Sequence, residues 1–237
     1  FLASTDLAAL TELSVPIATP EAIDKAAAAR HLHRLTTLRL HEAPGGIPLG
    51  TRALQALSLA HSLQALHTLE LHFTRFEEAG LDALAQTPWP LQDVRLHGFA
   101  DEPWLHWLSK PAWKQRLRAL DVSTTCAALE KSTFPPAIDW PHLQTLTVRE
   151  AHAVTSPGPH HDALLTDWWE RLNAPALTQL RMHTQQAGPV FAAALTRQRF
   201  SEQLRSLTLS MRLDDATLSA LAFGRWEALR KLHLEEG

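Results

Sequence analysis

Leu66-His67-Thr68-Leu69-Glu70-Leu71-His72-Phe73-Thr74-Arg75-Phe76-Glu77-Glu78-Ala79-Gly80-Leu81-Asp82-Ala83-Leu84 is the stretch that decides how this chain folds. Its first six residues obey L-x-x-L-x-L. In a strand, successive side chains point to opposite faces, so Leu69 and Leu71 point one way and Glu70 the other. From Glu77 the period changes. Leu81 and Leu84 lie one helical turn apart, and the acidic pair Glu77-Glu78 suits the positive end of a helix dipole. The stretch reads as one strand with a leucine face, followed by one helix that carries the chain back. Asp214–Ala222 matches the helical half almost position by position, and a tryptophan follows each at the same offset, Trp89 and Trp226.

Working outward, the strand pattern recurs nine times, allowing Val or Met at some sites. It runs Leu10-Leu13-Val15, Leu35-Leu38-Leu40, Leu66-Leu69-Leu71, Leu91-Val94-Leu96 and Leu117-Leu120-Val122. It continues at Leu143-Leu146-Val148, Leu177-Leu180-Met182, Leu204-Leu207-Leu209 and Leu229-Leu232-Leu234. The intervals between first leucines are 25, 31, 25, 26, 26, 34, 27 and 25 residues, a spacing too narrow for chance. One such strand cannot bury its apolar side alone. Stacked repeats make a parallel sheet over one core. Besides the two helical segments above, helices are expected at Glu21–Arg30, Arg52–Ser62, Trp104–Ser109, Ala163–Leu172 and Val190–Arg197.

On these residues the chain resembles the leucine-rich-repeat superfamily, closest to the ribonuclease-inhibitor-like class. The resemblance runs from Leu10 to Leu234. It implies an α/β solenoid, a horseshoe of about nine repeats, with a parallel concave sheet and helices or irregular segments on the convex side. It also implies a single domain over residues 1–237, expected to be a piece of a longer protein. The family places Asn or Cys three residues after the last strand leucine. Here those positions read Ala43, Thr74, Phe99, Thr125, Ala151, Gln185 and Arg212, so the asparagine ladder is absent. Tryptophans stand two to four residues ahead of a first leucine at Trp89, Trp113, Trp140 and Trp226, with Phe200 in a similar place. Such rings plug the returning side of the core; the competing reading is an exposed aromatic patch.

The polar residues between the strand leucines define the candidate site. The residue between the last two leucines gives one outward column: Arg39, Glu70, Arg95, Asp121, Thr147, Arg181, Thr208 and His233. Neighbouring strands sit about 4.8 Å apart, so alternating signs along Arg39, Glu70, Arg95 and Asp121 predict either a ladder of solvated ion pairs or a polar recognition surface. The next outward column gives His41, His72, His97, Ser123, Arg149, His183, Ser210 and Glu235. Stacked histidines suit a pH-sensitive contact face or plain surface. A straight column lacks a closed tetrahedral shell, so no metal and no cofactor are expected. The partner-binding residues are therefore expected to be Arg39, His41, Glu70, His72, Arg95, His97, Asp121, Arg149, Arg181 and His183. Insertions at Glu42–Gly50 and Ala151–Asp162 both follow a strand, on one edge, where binding loops often gather.

The bulk composition narrows the function. Hydrophobic residues make up 45% and charged residues 20%, as in ordinary globular domains. A net charge of −3 lacks the basic excess of nucleic-acid binders, and no apolar run is long enough to span a membrane. Cys126 is the single cysteine, which excludes an internal disulfide, fits a cytoplasmic setting, and reads as a small buried turn residue. The excess of arginine over lysine suggests a bacterial source. There is no phosphate loop, H-E-x-x-H or G-x-S-x-G motif. The expectation is a non-catalytic scaffold that binds a protein partner, with neither nucleic acid nor membrane as target. The alternatives are the substrate-recognition arm of a larger bacterial enzyme or effector, and an architectural role through self-association.

Overall fold

The computed structural model describes residues 8–17, 19–29, 31–43, 51–72, 78–97, 110–124, 137–150, 161–184 and 187–236. The chain divides into two compact units, Phe1–Leu117 and Arg118–Gly237.

In the first unit four strands, β1 Glu12–Ile17, β2 Thr37–Glu42, β3 Thr68–His72 and β4 Asp93–His97, pair in parallel in chain order. Parallel neighbours require a crossover, and the return segments supply it through α1 Pro20–Ala27, α2 Thr51–Ser58 and α3 Glu78–Ala85, with the short α4 Pro111–Lys114 after β4. Helix α2 packs against both α1 and α3. The motif leucines stand in register as Leu13, Leu38, Leu69, Val94 and as Val15, Leu40, Leu71, Leu96. All but Val15 are buried.

The second unit repeats the scheme. Strands β5 Ala119–Thr124, β7 Thr145–Glu150, β9 Gln179–His183, β10 Ser206–Met211 and β11 Lys231–Glu236 pair in parallel. The returns carry α5 His161–Glu170, α6 Pro189–Arg197, a 3-10 turn at Arg199–Gln203 and α7 Asp215–Ala222. Leu120, Leu146, Leu180, Leu207 and Leu232 share one register row. The first four are buried, whereas Leu232, on β11, is 54% exposed. A separate parallel pair joins β6 Ile138–Asp139 to β8 Leu172–Asn173.

A backbone device recurs where each strand begins. One carbonyl accepts two consecutive N–H groups from the next repeat. Thr11 takes Thr36 and Thr37 (2.8 and 3.1 Å), Thr36 takes His67 and Thr68 (2.9 and 2.9 Å), and His67 takes Gln92 and Asp93 (2.9 and 3.0 Å). In the second unit Arg118, Gln144, Thr178 and Arg205 play the same part for Gln144-Thr145, Thr178-Gln179, Arg205-Ser206 and Arg230-Lys231. Within each unit these main-chain groups staple one repeat to the next, whatever the side chains.

The tryptophans stand at a recurring turn, which closes in the same way where Leu32, Leu63 or Ala174 takes the place of the ring. The first leucine of a motif closes a turn by donating its N–H to a carbonyl three or four residues earlier. Trp113 accepts from Leu117 (3.1 Å), Trp140 from Leu143 (3.2 Å), Phe200 from Leu204 (3.1 Å) and Trp226 from Leu229 (3.2 Å). Trp89, Trp113, Trp140 and Phe200 are buried, as the core-plug reading expects; Trp226 is half-buried, donating from Nε1 to the Leu221 carbonyl at 2.9 Å.

Several expected elements shift. The helix expected over Arg52–Ser62 stops at Ser58, whose hydroxyl donates to the Gln55 carbonyl at 2.7 Å, and tight i→i−3 turns follow at Leu59 and Ala60. The helix expected over Ala163–Leu172 ends at Glu170, because Leu172 and Asn173 leave to pair with Ile138 and Asp139. Asn173 Nδ2 donates to Asp139 Oδ1 at 2.9 Å. The expected helix at 104–109, the core of both insertions (44–50 and 151–160), Cys126, and Thr74, Phe99, Thr125, Ala151 and Gln185 lie outside the described residues.

Candidate functional site

In the first unit the alternation of the strands places both polar columns on the face opposite the leucines. Arg39, Glu70 and Arg95 are register partners, as are His41, His72 and His97. Glu70 is the hub. Its Oε2 lies 3.3 Å from Arg39 Nε and 3.6 Å from Arg95 Nη1. Its Oε1 accepts a hydrogen bond from His72 Nε2 at 2.6 Å. The Glu70 side chain is 14% exposed, less than any of these partners. Burial alone pushes its carboxyl up, but the His72 hydrogen bond and the charges of His72, Arg95 and His97 outweigh that and hold it below the usual carboxylate value.

The ladder extends beyond the column that the leucine pattern marks. Arg39 Nη1 reaches Glu12 Oε2 at 3.2 Å, and Arg95 makes a two-pronged contact with Asp93 (3.3 and 2.8 Å). Ser14 Oγ and His41 Nε2 share a hydrogen bond at 2.9 Å. Glu12, Ser14 and Asp93 were not among the expected site residues. Period-two alternation carries the signal for them, since residues two positions apart on a strand share a face. The histidine rings form a continuous row: His41 meets His72 edge-on at 5.6 Å between centroids, and His72 stacks on His97 at 4.3 Å with 23° between planes.

In the second unit Arg149 grips Asp121 with two hydrogen bonds, Nε to Oδ1 at 3.1 Å and Nη2 to Oδ2 at 3.0 Å. This pair runs diagonally from one outward column to the other. Thr147, expected to face solvent between Asp121 and Arg181, is only 4% exposed. It stands in register between the longer side chains of Asp121 and Arg181. Arg181 is exposed and His183 half-buried. Burial and the Arg149 guanidinium, with Arg181 adding, hold His183 below its ordinary value against the opposing pull of Glu235 and Asp121. At the end of the row His233 Nε2 donates to Glu235 Oε1 at 2.5 Å.

The ten expected residues thus fall into two sets: Arg39, His41, Glu70, His72, Arg95 and His97 on one unit, and Asp121, Arg149, Arg181 and His183 on the other. Chemically, the first set offers a glutamate between two arginines, flanked by imidazoles. The second offers an ion pair, an exposed arginine and a histidine whose pKa is held below its ordinary value. Among the described residues, Glu70, His72 and His97 alone bring three metal-capable side chains within reach of one another. No helix among the described residues is long and apolar enough to cross a membrane.

Neither a family model nor a curated protein sequence matches this chain. Among solved structures, one described as "Crystal structure of Rad7 and Elc1 complex in yeast" is similar over 94% of this chain and 62% of that chain, at 15% identity and a TM-score of 0.45. This chain therefore spans less than two thirds of that one, and a likeness at that level supports no conclusion about shape or function.

Proposed function

We propose that this chain is a non-catalytic recognition scaffold of the leucine-rich-repeat type, in the ribonuclease-inhibitor-like class, that binds a protein partner through the polar face of its parallel strands. The observation that carries the reading is the register. Leucines lock each strand from one side, so the polar side chains on the other stand in straight rows, one per strand. A rigid scaffold holding polar groups at fixed spacing lowers the ordering cost of binding.

The charge pattern supports a protein rather than a nucleic acid. Acidic and basic side chains alternate from Glu12 through Arg39, Glu70 and Arg95 to Asp93, with no uniform basic stripe to neutralise phosphates. Mixed charges favour a partner of complementary mixed charge and set register more than raw affinity.

The test begins with a partner recovered from the native host and proceeds to its dissociation constant for Arg95→Glu and Arg181→Glu, one variant on each unit. Each variant is expected to weaken binding by about tenfold or more; Arg181→Glu is expected to leave the thermal melt in place, whereas Arg95→Glu, which sets a carboxylate beside Glu70 and Asp93, is expected to lower it. Wild-type affinity in both variants would remove the strand face from the reading.

A further inference from the structure

We propose that Glu70, His72 and His97 form a binding site for a divalent transition-metal ion of the zinc class. His72 and His97 are register partners on adjacent parallel strands. Their rings are stacked, 4.3 Å between centroids and 23° between planes. Glu70 sits two residues before His72, on the same face of the same strand, with Oε1 2.6 Å from His72 Nε2. One ligand atom from each of the three residues lies within 4.8 Å of the others.

These distances fit an ion after small side-chain movements. With metal–nitrogen and metal–oxygen bonds of about 2.0–2.2 Å, tetrahedral ligand atoms stand about 3.4 Å apart. The Glu70–His72 contact must open by under about 1 Å, and the widest gap must close by about 1.4 Å. Both are within the reach of χ rotations, chiefly of the more exposed His72 and His97. Two imidazoles with one carboxylate suit zinc and its neighbours; magnesium and calcium prefer all-oxygen shells. A straight histidine column cannot close a shell by itself, and the carboxylate from the adjoining column supplies the third ligand.

The surroundings bear on affinity in both directions. Arg39 and Arg95 hold Glu70 Oε2 at 3.3 and 3.6 Å, which orients the carboxylate and leaves Oε1 for the ion. Their positive charges also repel a cation, so this site binds more weakly than a closed four-ligand structural site. Three protein ligands leave a coordination position on the outward side, open to water or to a donor atom of a docked molecule.

The test is titration of the full chain with Zn²⁺ in competition with a chromophoric chelator. One ion is expected to bind in the tightest class. Affinity is expected to fall by about tenfold or more in His72→Ala and in His97→Ala, and by a similar factor in Glu70→Gln. His183→Ala, on the other unit, is expected to bind as wild type, which separates this site from scattered surface histidines. In parallel, ring-proton resonances of His72 and His97 are expected to shift together at one equivalent. Unchanged affinity in both histidine variants, or no Zn²⁺ binding by the folded chain, overturns the proposal.

Discussion

Gly80→Ala tests whether the return helices stack as closely as the repeat requires. Gly80 lies in the first turn of α3, buried against α2. A methyl group there would meet Leu54 Cδ1 at 2.8 Å, Cβ at 3.0 Å and Cγ at 3.3 Å. Two effects oppose each other. Alanine favours the helix over glycine by at most about 1 kcal/mol, and less so near a helix end. Overpacking a filled interface costs about 1–3 kcal/mol. Leu54 is fully buried, and its Cβ is tied to the α2 backbone, so rotating the tip of the side chain does not clear the clash. The packing term wins, and the net loss is about 1 kcal/mol, or about 2–4 °C in a chain of this size.

The assay is urea unfolding followed by tryptophan fluorescence, carried through a double-mutant cycle with Leu54→Ala. Alone, Leu54→Ala is expected to cost about 2–5 kcal/mol through the cavity it leaves. In that background the 2.8 and 3.3 Å contacts are gone while the 3.0 Å contact with the Cβ of residue 54 stays, so Gly80→Ala is expected to cost less than in the wild type, giving a coupling of about 1 kcal/mol. If Gly80→Ala stabilises the wild-type chain by its full helix propensity, or the cycle shows no coupling, α2 and α3 do not touch as described. The spacing of successive repeats in the first unit would then be wrong.

Trp140→Ala is expected to cost about 3–5 kcal/mol in the same urea assay, because its ring is fully buried at the turn that closes before β7; Trp226→Ala, removing a half-buried ring, is expected to cost less than half as much. Asp214 caps α7, its Oδ1 accepting from the Thr217 N–H and hydroxyl, both at 2.8 Å, and these bonds hold its carboxyl below the usual value. A depressed carboxyl favours the folded state above its ordinary value, and the benefit is lost as pH falls below about 4. Asp214→Asn is therefore expected to keep the cap but flatten that part of the stability–pH curve, measured by melting between pH 2 and pH 6.

The leucine periodicity was sufficient for the strands, because a residue such as Leu69 has one stable place when Leu38 and Val94 flank it in register. The return helices were legible where period and polarity agreed, as at Glu78–Ala85. Two kinds of feature were not. The shared carbonyls of Thr11, Thr36 and His67 are main-chain acceptors, and any side chain is compatible with them. They supply repeat-to-repeat hydrogen bonds in a chain that lacks the asparagine ladder. Pairing between elements far apart in sequence was equally hidden: β6 and β8 are two residues each, too short for a period to register. At the site, the columns were readable but their depth was not. Thr147 is buried and Glu70 nearly so, because the size of the neighbouring side chains decides exposure after the strand has set the direction.

Depth also determines how the face can work. Surface ion pairs contribute about 0–1 kcal/mol each, yet Glu70 has three partners converging on a side chain only 14% exposed. A partner that drew Arg39 or Arg95 away would leave that carboxylate underpaired, and this penalty would be subtracted from the binding energy. On the first unit, docking is cheapest when it leaves the ladder intact and uses what projects above it: the histidine row and the outer edges of Arg39 and Arg95. Glu70 accordingly belongs to the foundation of the surface rather than its contact layer. Replacing it would disturb the posture of its three partners, Arg39, His72 and Arg95, at once.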